Sequence, residues 1–257
     1  MINKGTVIRG KRWGPRLQTR LRNPPAGITN WMERHTDVVK DDHSTLAGFL
    51  RMSHKQRFLK LYRRRSMLHK LAYLMRIGRP LRTFRVSLAL AGVGVPVPEP
   101  LCCMLSSEGL LLLTEALLRD SDYNALWQRA PSEEEARLMM RGAGQTLANL
   151  HLAGYTHGDC KWSNLLWIDR VCHLVDLDGT RRRLVLGQRA RARDIARFTI
   201  SAEEAGASAQ LLEDFLESYL NTTGAAREDL VRRMQPHLEK FRGRHRDRYG
   251  IAPQPLL

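Results

Sequence analysis

A short polar segment, residues 157–164 (HGDCKWSN), constrains this chain more than any other part of its sequence. It follows a long stretch in which apolar residues recur at helical spacing. Two short apolar runs, 164–168 and 173–177, come directly after it, and the polar dipeptide between them predicts a small hairpin. The segment is therefore predicted to be a loop between a long helix and a tight hairpin. Asp176 and Asp178 are expected at the far end of that hairpin.

This arrangement resembles the catalytic core of the protein-kinase-like fold. His157, Asp159 and Asn164 match the H-x-D-x-x-x-x-N loop of that family, and Asp176 matches its metal-binding aspartate. One such residue would be a weak signal, but all of them in order on a helix–loop–hairpin are specific. The resemblance implies an α+β, protein-kinase-like bilobal fold, with a small β-rich N-lobe and a larger α-helical C-lobe. It also implies ATP as the phosphate donor.

The resemblance implies a role for each polar side chain, because phosphoryl transfer depends mainly on positioning and charge neutralisation. Asp159 resembles the base that accepts the proton of the acceptor hydroxyl. Lys161 resembles the lysine that many kinases direct at the γ-phosphate. Asn164 and Asp176 resemble the ligands that hold Mg²⁺ against the phosphates. Asp178 is left with two alternatives, since it could assist the metal or simply end the strand.

Two further side chains are expected to support the loop rather than to react. His157 is predicted to pack and hydrogen-bond within the loop. Asp194 resembles the helix aspartate that braces the catalytic loop, although an ordinary exposed helix acid is the alternative. Gly158 stands where many protein kinases carry the arginine that contacts a phosphorylated activation loop, which argues against that kind of regulation.

The first half of the chain offers a nucleotide site on the same pattern. Lys60 lies inside an apolar strand-like run, 57–62, and resembles the strand lysine that contacts the α- and β-phosphates. The alternative is a surface lysine on an edge strand. Glu115, Ala116 and Leu117 fall where the interlobe hinge is expected, and their backbone would contact adenine.

Two departures from the kinase pattern stand out. The first strands carry no G-x-G-x-x-G, and residues 43–45 (HST) occupy the expected turn over the phosphates. Residues 43–98 contain no acidic residue, so the usual lysine–glutamate ion pair cannot form from that segment. Either Lys60 is oriented by the phosphates and Mg²⁺ alone, or it is not the nucleotide lysine, or the site is weakened.

The organisation of the chain is predicted from its patterning in three parts: a basic, irregular N-terminal arm (1–30), an N-lobe (31–115) and a C-lobe (116–257). Strands are expected to dominate the first part of the chain and helices the second. Strands are predicted at 36–40, 45–52, 57–62, 101–105 and 110–113, and helices at 66–92 (interrupted near 78–80), 132–154, 190–200, 202–221 and 225–245.

The charge is large and unevenly distributed. Lysine and arginine number 42 against 26 acidic residues, which gives a formal net charge of +16. Such segregated charge favours an anionic partner, for which nucleic acid, an anionic membrane surface or a phosphorylated glycolipid all qualify. The four cysteines show no metal or disulfide spacing, which indicates reduced thiols in a cytoplasmic protein.

Three segments resemble the bacterial lipopolysaccharide core kinase family: 58–64 (FLKLYRR), 82–85 (RTFR) and 94–100 (GVPVPEP). The resemblance implies an enzyme that uses ATP and Mg²⁺ to phosphorylate a heptose or Kdo hydroxyl of lipid A-core. It implies a cytoplasmic location, peripheral at the inner face of the inner membrane. A basic cluster follows Asp178 in the sequence and consists of Arg181, Arg182 and Arg183. It is predicted to bind Kdo carboxylates or lipid A phosphates.

Other functions remain open from the sequence. A RIO-like protein kinase, a tRNA-associated kinase or a small-molecule phosphotransferase would have the same fold and a different acceptor. A pseudokinase, or a basic binding module without turnover, would explain the missing glutamate and glycine loop. The aromatic residues do not cluster into a stacking platform, which disfavours nucleic acid as a partner. The basic charge alone would still suit one.

Overall fold

The computed structural model describes residues 5–21, 27–64, 78–182, 187–251 and 253–257. The chain divides into two compact units. The first consists of Met1–Ala89 and Pro98–Leu117, and the second of Leu90–Val97 and Leu118–Leu257. The first unit is built on a β-sheet and the second mainly on helices, which confirms the predicted α+β class.

The first unit contains a six-stranded antiparallel sheet in the order β1-β5-β6-β4-β3-β2. Its strands are β1 (Thr6–Arg9), β2 (Asp37–Asp42), β3 (Thr45–Met52), β4 (Lys55–Arg63), β5 (Pro100–Leu105) and β6 (Gly109–Glu115). Its helices are α1 (Gly14–Arg20), α2 (Gly27–His35) and α3 (Arg79–Gly92), the last of which runs into the second unit.

Both faces of the central strand β4 are covered, because its side chains alternate between two apolar clusters. Leu59 and Leu61 point into a cluster that also contains residues of α1 and α2. Tyr62 points to the other face, where Leu81 and Phe84 of α3 cover the sheet. Strand β4 is therefore an interior strand of the sheet, as its apolar pattern predicts.

The N-terminal segment is not an irregular arm, and that prediction was wrong. Strand β1 pairs with β5, and helices α1 and α2 pack on the sheet with Leu17, Ile28 and Met32 at most 2% exposed. The segment was hard to recognise because its apolar residues are few and its strand is only four residues long. Residues 23–25 (NPP), near the end of the predicted arm, lie outside the described residues.

The second unit contains five described α-helices and two pairings of short strands. The helices are α4 (Tyr123–Gln128), α5 (Glu133–Leu152), α6 (Gln188–Glu204), α7 (Ala209–Thr223) and α8 (Arg227–Tyr249). The short strands are β7 (Tyr155–Thr156), β8 (Leu165–Ile168), β9 (Val171–Leu174) and β10 (Arg181–Arg182). Strand β8 pairs with β9 as the predicted hairpin, and β7 pairs with β10.

Local sequence explains where the long helix α5 begins and ends. Ser132 is its N-cap and accepts a hydrogen bond from the backbone N–H of Glu135 at 3.2 Å. Gly154 follows its last turn with φ +86°, a left-handed conformation that glycine adopts without strain. Helix α6 extends to Glu204, beyond the predicted end at 200, and the first part of the predicted helix at 66–77 lies outside the described residues.

The four cysteines are free and buried. Burial raises the pKa of Cys102, Cys103 and Cys172 to about 12, and it raises the pKa of Cys160 as well. These thiols therefore stay protonated near neutral pH, where they act as small apolar side chains. Among the described helices, none combines the length and apolar character needed to cross a membrane.

Candidate active site

The polar loop lies in the second unit between β7 and β8, as predicted. Its last part forms a single 3-10 turn, Trp162–Asn164, directly before β8. The indole of Trp162 is fully buried and makes edge contacts with the rings of Tyr123 and Trp127. The Trp162 backbone N–H donates to Ser201 Oγ on α6 at 3.3 Å. One end of the loop is thus fixed to the helical core.

Asp194 of α6 fixes the other end of the loop. Its carboxylate accepts hydrogen bonds from the backbone N–H groups of His157 at 2.7 Å and Gly158 at 2.9 Å. The His151 ring contributes a third contact, from Nε2 at 3.3 Å. Burial opposes ionisation of Asp194, but these hydrogen bonds and the nearby imidazole rings outweigh it, so that its pKa lies below the ordinary value. A buried, ionised carboxylate therefore holds the backbone of the loop.

The hydrogen bonds of His157 give its ring a supporting position. Nε2 lies 2.9 Å from the Val175 carbonyl oxygen, which can only accept, so that Nε2 carries the proton. Nδ1 then accepts from the backbone N–H of Asp159 at 3.3 Å. One ring nitrogen bonds within the loop, the other bonds to Val175 after the hairpin, and the ring is fully buried, so His157 is not placed to react with a substrate.

A glycine is required at position 158. Gly158 has φ +89°, and a Cβ placed there would lie 3.1 Å from the carbonyl oxygen of Gly179. Backbone conformation and close packing both disfavour a side chain here. This gives a physical reason for glycine where many protein kinases have arginine.

Asp159 is half-exposed and is surrounded by cations and an amide. Lys161 Nζ lies 3.7 Å from Oδ2, and Arg197 Nε of α6 lies 3.5 Å from Oδ1. Asn164 Nδ2 donates to the Asp159 backbone carbonyl at 3.0 Å and to Oδ2 at 3.2 Å. The carboxylate is held in place yet remains open to an incoming hydroxyl. A general base needs this combination.

The segment that carries Asp176 and Asp178 is hydrogen-bonded to the same loop. The Val175 backbone N–H donates to the Asn164 carbonyl at 3.0 Å, which places Asp176 next in sequence to a residue bonded to the loop. Asp176 has φ +53°, a left-handed conformation that is unusual for a residue with a side chain. Asp178 follows in a short 3-10 turn, Leu177–Gly179, and is partly buried.

The donor set here fits a Mg²⁺ ion that is held mainly by phosphate oxygens. The Asn164 amide directs its NH₂ group at Asp159, which leaves Oδ1 on the opposite side of the amide as a ligand. Asp176 supplies a hard carboxylate oxygen nearby in the chain. Among residues 5–21, 27–64, 78–182, 187–251 and 253–257, no group of three or more His, Cys, Asp or Glu side chains forms a metal cluster. Mg²⁺ in nucleotide enzymes needs only one or two carboxylates, with phosphates and waters completing the shell.

Lys60 lies on strand β4 between β3 and β6, which excludes the edge-strand alternative. It is partly buried, and its ammonium group lies 5.0 Å from the centre of the Tyr62 ring. Glu115 ends β6, with its backbone N–H bonded to the Glu99 carbonyl at 2.8 Å. Ala116 and Leu117 follow at the point in the chain where the first unit passes into the second.

The turn at 43–45 is stabilised by its own acid. Asp42 Oδ1 accepts from Ser44 N at 2.7 Å, from Ser44 Oγ at 2.6 Å and from Thr45 N at 2.8 Å. These hydrogen bonds keep the pKa of Asp42 well below its usual range. The donors that could have covered a phosphate are thus occupied by a carboxylate, which the sequence did not suggest.

The predicted arginine cluster is described only in part. Arg181 and Arg182 are exposed on β10, and Arg183 lies outside the described residues. Arg181 Nη1 donates to the backbone carbonyl of Thr180 at 3.0 Å. Sequence reasoning missed Arg197, which is the arginine that reaches Asp159. The only signal was its spacing on α6, three residues after Asp194.

Three comparisons with known proteins bear on the family and the fold. Residues 29–219 match the model of the lipopolysaccharide kinase (Kdo/WaaP) family. The 3-deoxy-D-manno-octulosonic acid kinase of Vibrio parahaemolyticus serotype O3:K6 (strain RIMD 2210633) is 30% identical over 146 residues, which cover 52% of this chain. The match spans 60% of the length of that curated relative. The solved structure of WaaP in complex with acyl carrier protein superposes with a TM-score of 0.63 at 18% identity, covering 91% of this chain and 98% of that chain.

The fold and the loop define a protein of the protein-kinase-like class. Within that class, the family match covers well over half of the sequence. The chain belongs to the lipopolysaccharide kinase (Kdo/WaaP) family.

Proposed function

We propose that this protein is an ATP-dependent kinase that phosphorylates a sugar hydroxyl of the lipopolysaccharide inner core. One observation carries the proposal: a half-exposed carboxylate, Asp159, with Lys161, Asn164 and Arg197 all within 4 Å. The loop that carries it is braced by the buried Asp194. Membership of a family whose members are kinases supports the same conclusion.

The side chains suggest how the transfer proceeds. Asp159 accepts the proton of the acceptor hydroxyl as the hydroxyl oxygen forms its bond to the γ-phosphorus. The bond between the γ-phosphorus and the bridging oxygen breaks, and ADP leaves with that electron pair. Lys161 stabilises the negative charge on the transferred group, and Asp159 then releases its proton to solvent. Atoms and charge balance without a further reactant.

Asn164 and Asp176 are proposed to hold Mg²⁺, with Asp178 as a possible third contributor. When bound, the ion neutralises phosphate charge and orients the phosphates. Asn164 is well suited because its hydrogen bond to Asp159 ties the metal ligand to the base. A change at Asn164 would therefore disturb both functions together.

The nucleotide contacts in the first unit remain proposals. Lys60 is the candidate for the α- and β-phosphates, because a lysine on an interior strand is an unusual placement that needs a reason. Glu115, Ala116 and Leu117 are the candidates for backbone contacts with adenine.

Among acceptors, we favour Kdo over heptose, since the curated relative is a Kdo kinase. The exposed arginines Arg181 and Arg182, with Arg183 beside them in sequence, are proposed to contact anionic groups of lipid A-core. The net charge of +16 suits an enzyme that works peripherally at the cytoplasmic face of the inner membrane. An acyl carrier protein is a candidate protein partner, because WaaP was solved with one.

The test is transfer of labelled γ-phosphate from ATP and Mg²⁺ to four acceptors: Kdo-containing lipid A, the same glycolipid extended with heptose, bulk RNA and a generic protein. We expect label in the Kdo glycolipid, absent with Asp159→Ala. Label only after heptose addition would move the acceptor to heptose. Label in protein would favour the protein-kinase alternative, and ATP binding without any transfer would favour a pseudokinase.

A further inference from the structure

A cavity of about 780 Å³ opens beside the proposed base, entirely within the second unit. Its walls are helix α6 and the C-terminal helix α8, and its floor includes Gly158 and Asp159. The volume lies in the range of small-molecule sites, roughly 300–1,000 Å³. A molecule bound here would therefore lie against the carboxylate that is proposed to accept the proton.

Two rows of arginine line this cavity. Arg193 and Arg197 are four residues apart on α6, and Arg244 and Arg248 are four residues apart on α8. This spacing places each pair on one face of its helix. The cavity therefore presents guanidinium groups from both walls.

Most of this positive charge is not neutralised by the protein. The cavity contains two carboxylates, of which Asp159 is near Arg197 at 3.5 Å and Glu204 accepts from His245 at 3.0 Å. In the part of the chain that the structure describes, no carboxylate forms an ion pair with the three remaining arginines, Arg193, Arg244 and Arg248. All three are exposed. A site of this kind favours an anionic ligand.

Helix α8 is a fixed wall rather than a loose C-terminal tail. Arg242 forms an ion pair with Glu203 of α6, in which the Glu203 side chain is fully buried. The chain end is tied to the same pair, since Leu256 N donates to Glu203 Oε1 at 3.1 Å and Arg242 Nη2 donates to the Leu257 carbonyl at 3.1 Å. The backbone of α8, which carries Arg244 and Arg248, is therefore fixed against α6.

The cavity also has apolar surface that would suit a sugar ring. Phe241 and Tyr249 of α8 line it together with the buried Ile200 of α6. The Arg197 guanidinium lies 5.7 Å from the centre of the Phe241 ring, so the residue that reaches Asp159 also contacts the opposite wall. Aromatic faces with nearby polar groups are typical of small-ligand sites.

We propose that this cavity binds the acceptor as an acidic sugar, with Arg193, Arg244 and Arg248 contacting the sugar carboxylate while a hydroxyl faces Asp159. The inference rests on the proposed function and makes it specific. It assigns sugar-acid recognition to the C-terminal helix, whereas the sequence suggested only residues 181–183. Those arginines remain available for other anionic groups of the same glycolipid.

The direct test measures the binding of free Kdo by ligand-observed NMR, in the absence of nucleotide. The double variant Arg244→Gln/Arg248→Gln should weaken binding about 10-fold or more, because hydrogen bonds between charged groups contribute strongly. Arg246→Gln removes a positive charge from the same turn of α8 but is outside the cavity lining, and should bind as the wild type does. Kdo methyl ester should bind the wild type as weakly as Kdo binds the double variant.

Failure of this inference can be told apart from failure of the proposed function. In the transfer assay the double variant should raise the acceptor KM by a similar factor and leave the KM for ATP unchanged. No transfer by any form, with Kdo binding still lost in the double variant, would contradict the kinase and support the acidic-sugar site. The inference is overturned if the wild type does not bind Kdo, or if Arg246→Gln weakens binding as much as the double variant.

Discussion

Asp159 owes its position to groups that do not themselves react. Asp194 accepts hydrogen bonds from the backbone N–H groups of His157 and Gly158, the two residues before Asp159. The His157 ring accepts a hydrogen bond from the backbone N–H of Asp159. Arg197 and Lys161 then contact its carboxylate from two sides. The loop backbone at Asp159 is thus held by a buried anion, and its carboxylate is contacted by two partly buried cations. We therefore expect the ionised Asp194 to contribute to the stability of the fold.

That assignment predicts a pH-dependent effect of Asp194→Asn. The folded-state pKa of Asp194 is depressed, so its stabilising contribution is present above the unfolded value near 3.9 and is lost as pH falls through the folded pKa. At pH 7 we expect the variant to lose about 3 kcal/mol of unfolding free energy, because hydrogen bonds to a charged acceptor are lost. The difference from wild type should shrink towards pH 3. Urea denaturation at several pH values measures it.

A matched control for this variant is Asp169→Asn. Asp169 is exposed in the hairpin turn with φ +51°, a conformation that asparagine also tolerates. It should leave stability unchanged at either pH. An equal loss for Asp194→Asn at pH 7 and pH 3 would show that the charge of Asp194 does not stabilise the fold.

At the scale of elements, helices α6 and α8 carry more of the site than their sequences suggest. Helix α6 supplies the brace at Asp194 and the arginine that reaches Asp159. Helix α8 supplies the second wall of the basic cavity. The two are joined by the ion pair between Arg242 and Glu203.

Breaking the ion pair between Arg242 and Glu203 should lower the free energy of unfolding. Arg242→Gln leaves Glu203 buried without its cation, and should lower the unfolding free energy by about 3 kcal/mol. The double variant Glu203→Gln/Arg242→Gln should be clearly more stable than the sum of the two single changes predicts, as a double-mutant cycle measures. Arg227→Gln, which breaks the more exposed pair with Glu213, should cost less than about 1 kcal/mol. Strictly additive losses would show that the buried pair is not coupled.

Sequence patterns predicted the elements that depend on near neighbours. The β8–β9 hairpin and the helix predicted at 132–154 follow from adjacent residues, and both are present. Strand β1 was missed because its partner, β5, lies more than ninety residues further along the chain. The cavity was missed for the same reason, since Arg197 and Arg244 meet only when α6 packs against α8. Local spacing identifies the loop, but tertiary packing decides which cations surround it.

At the scale of the whole molecule, the excess of positive charge is the feature that a glycolipid kinase explains best. Lysine and arginine exceed acidic residues by 16. Basic residues close to an anionic bilayer each contribute about 1 kcal/mol of attraction, and salt screens that attraction.

We therefore expect co-sedimentation with vesicles that contain phosphatidylglycerol, and much weaker binding to neutral phosphatidylcholine vesicles. Raising the salt concentration from 0.05 to about 0.5 M should release the protein, because the Debye length shortens several-fold. Equal binding to both vesicle types would contradict an electrostatic association. Binding to RNA in preference to anionic vesicles would favour the RNA-associated alternative.

The central claim is that Asp159 is the base of a phosphoryl transfer to a sugar hydroxyl. Its most direct test is the transfer rate of Asp159→Asn at saturating ATP, Mg²⁺ and Kdo-containing lipid A, with thermal unfolding and ATP affinity measured on the same preparation. We predict a fall in kcat of about 100-fold or more, the scale of lost general-base catalysis, with fold and ATP affinity unchanged. A variant that transfers phosphate at close to the wild-type rate would contradict the claim and place the reactive centre elsewhere.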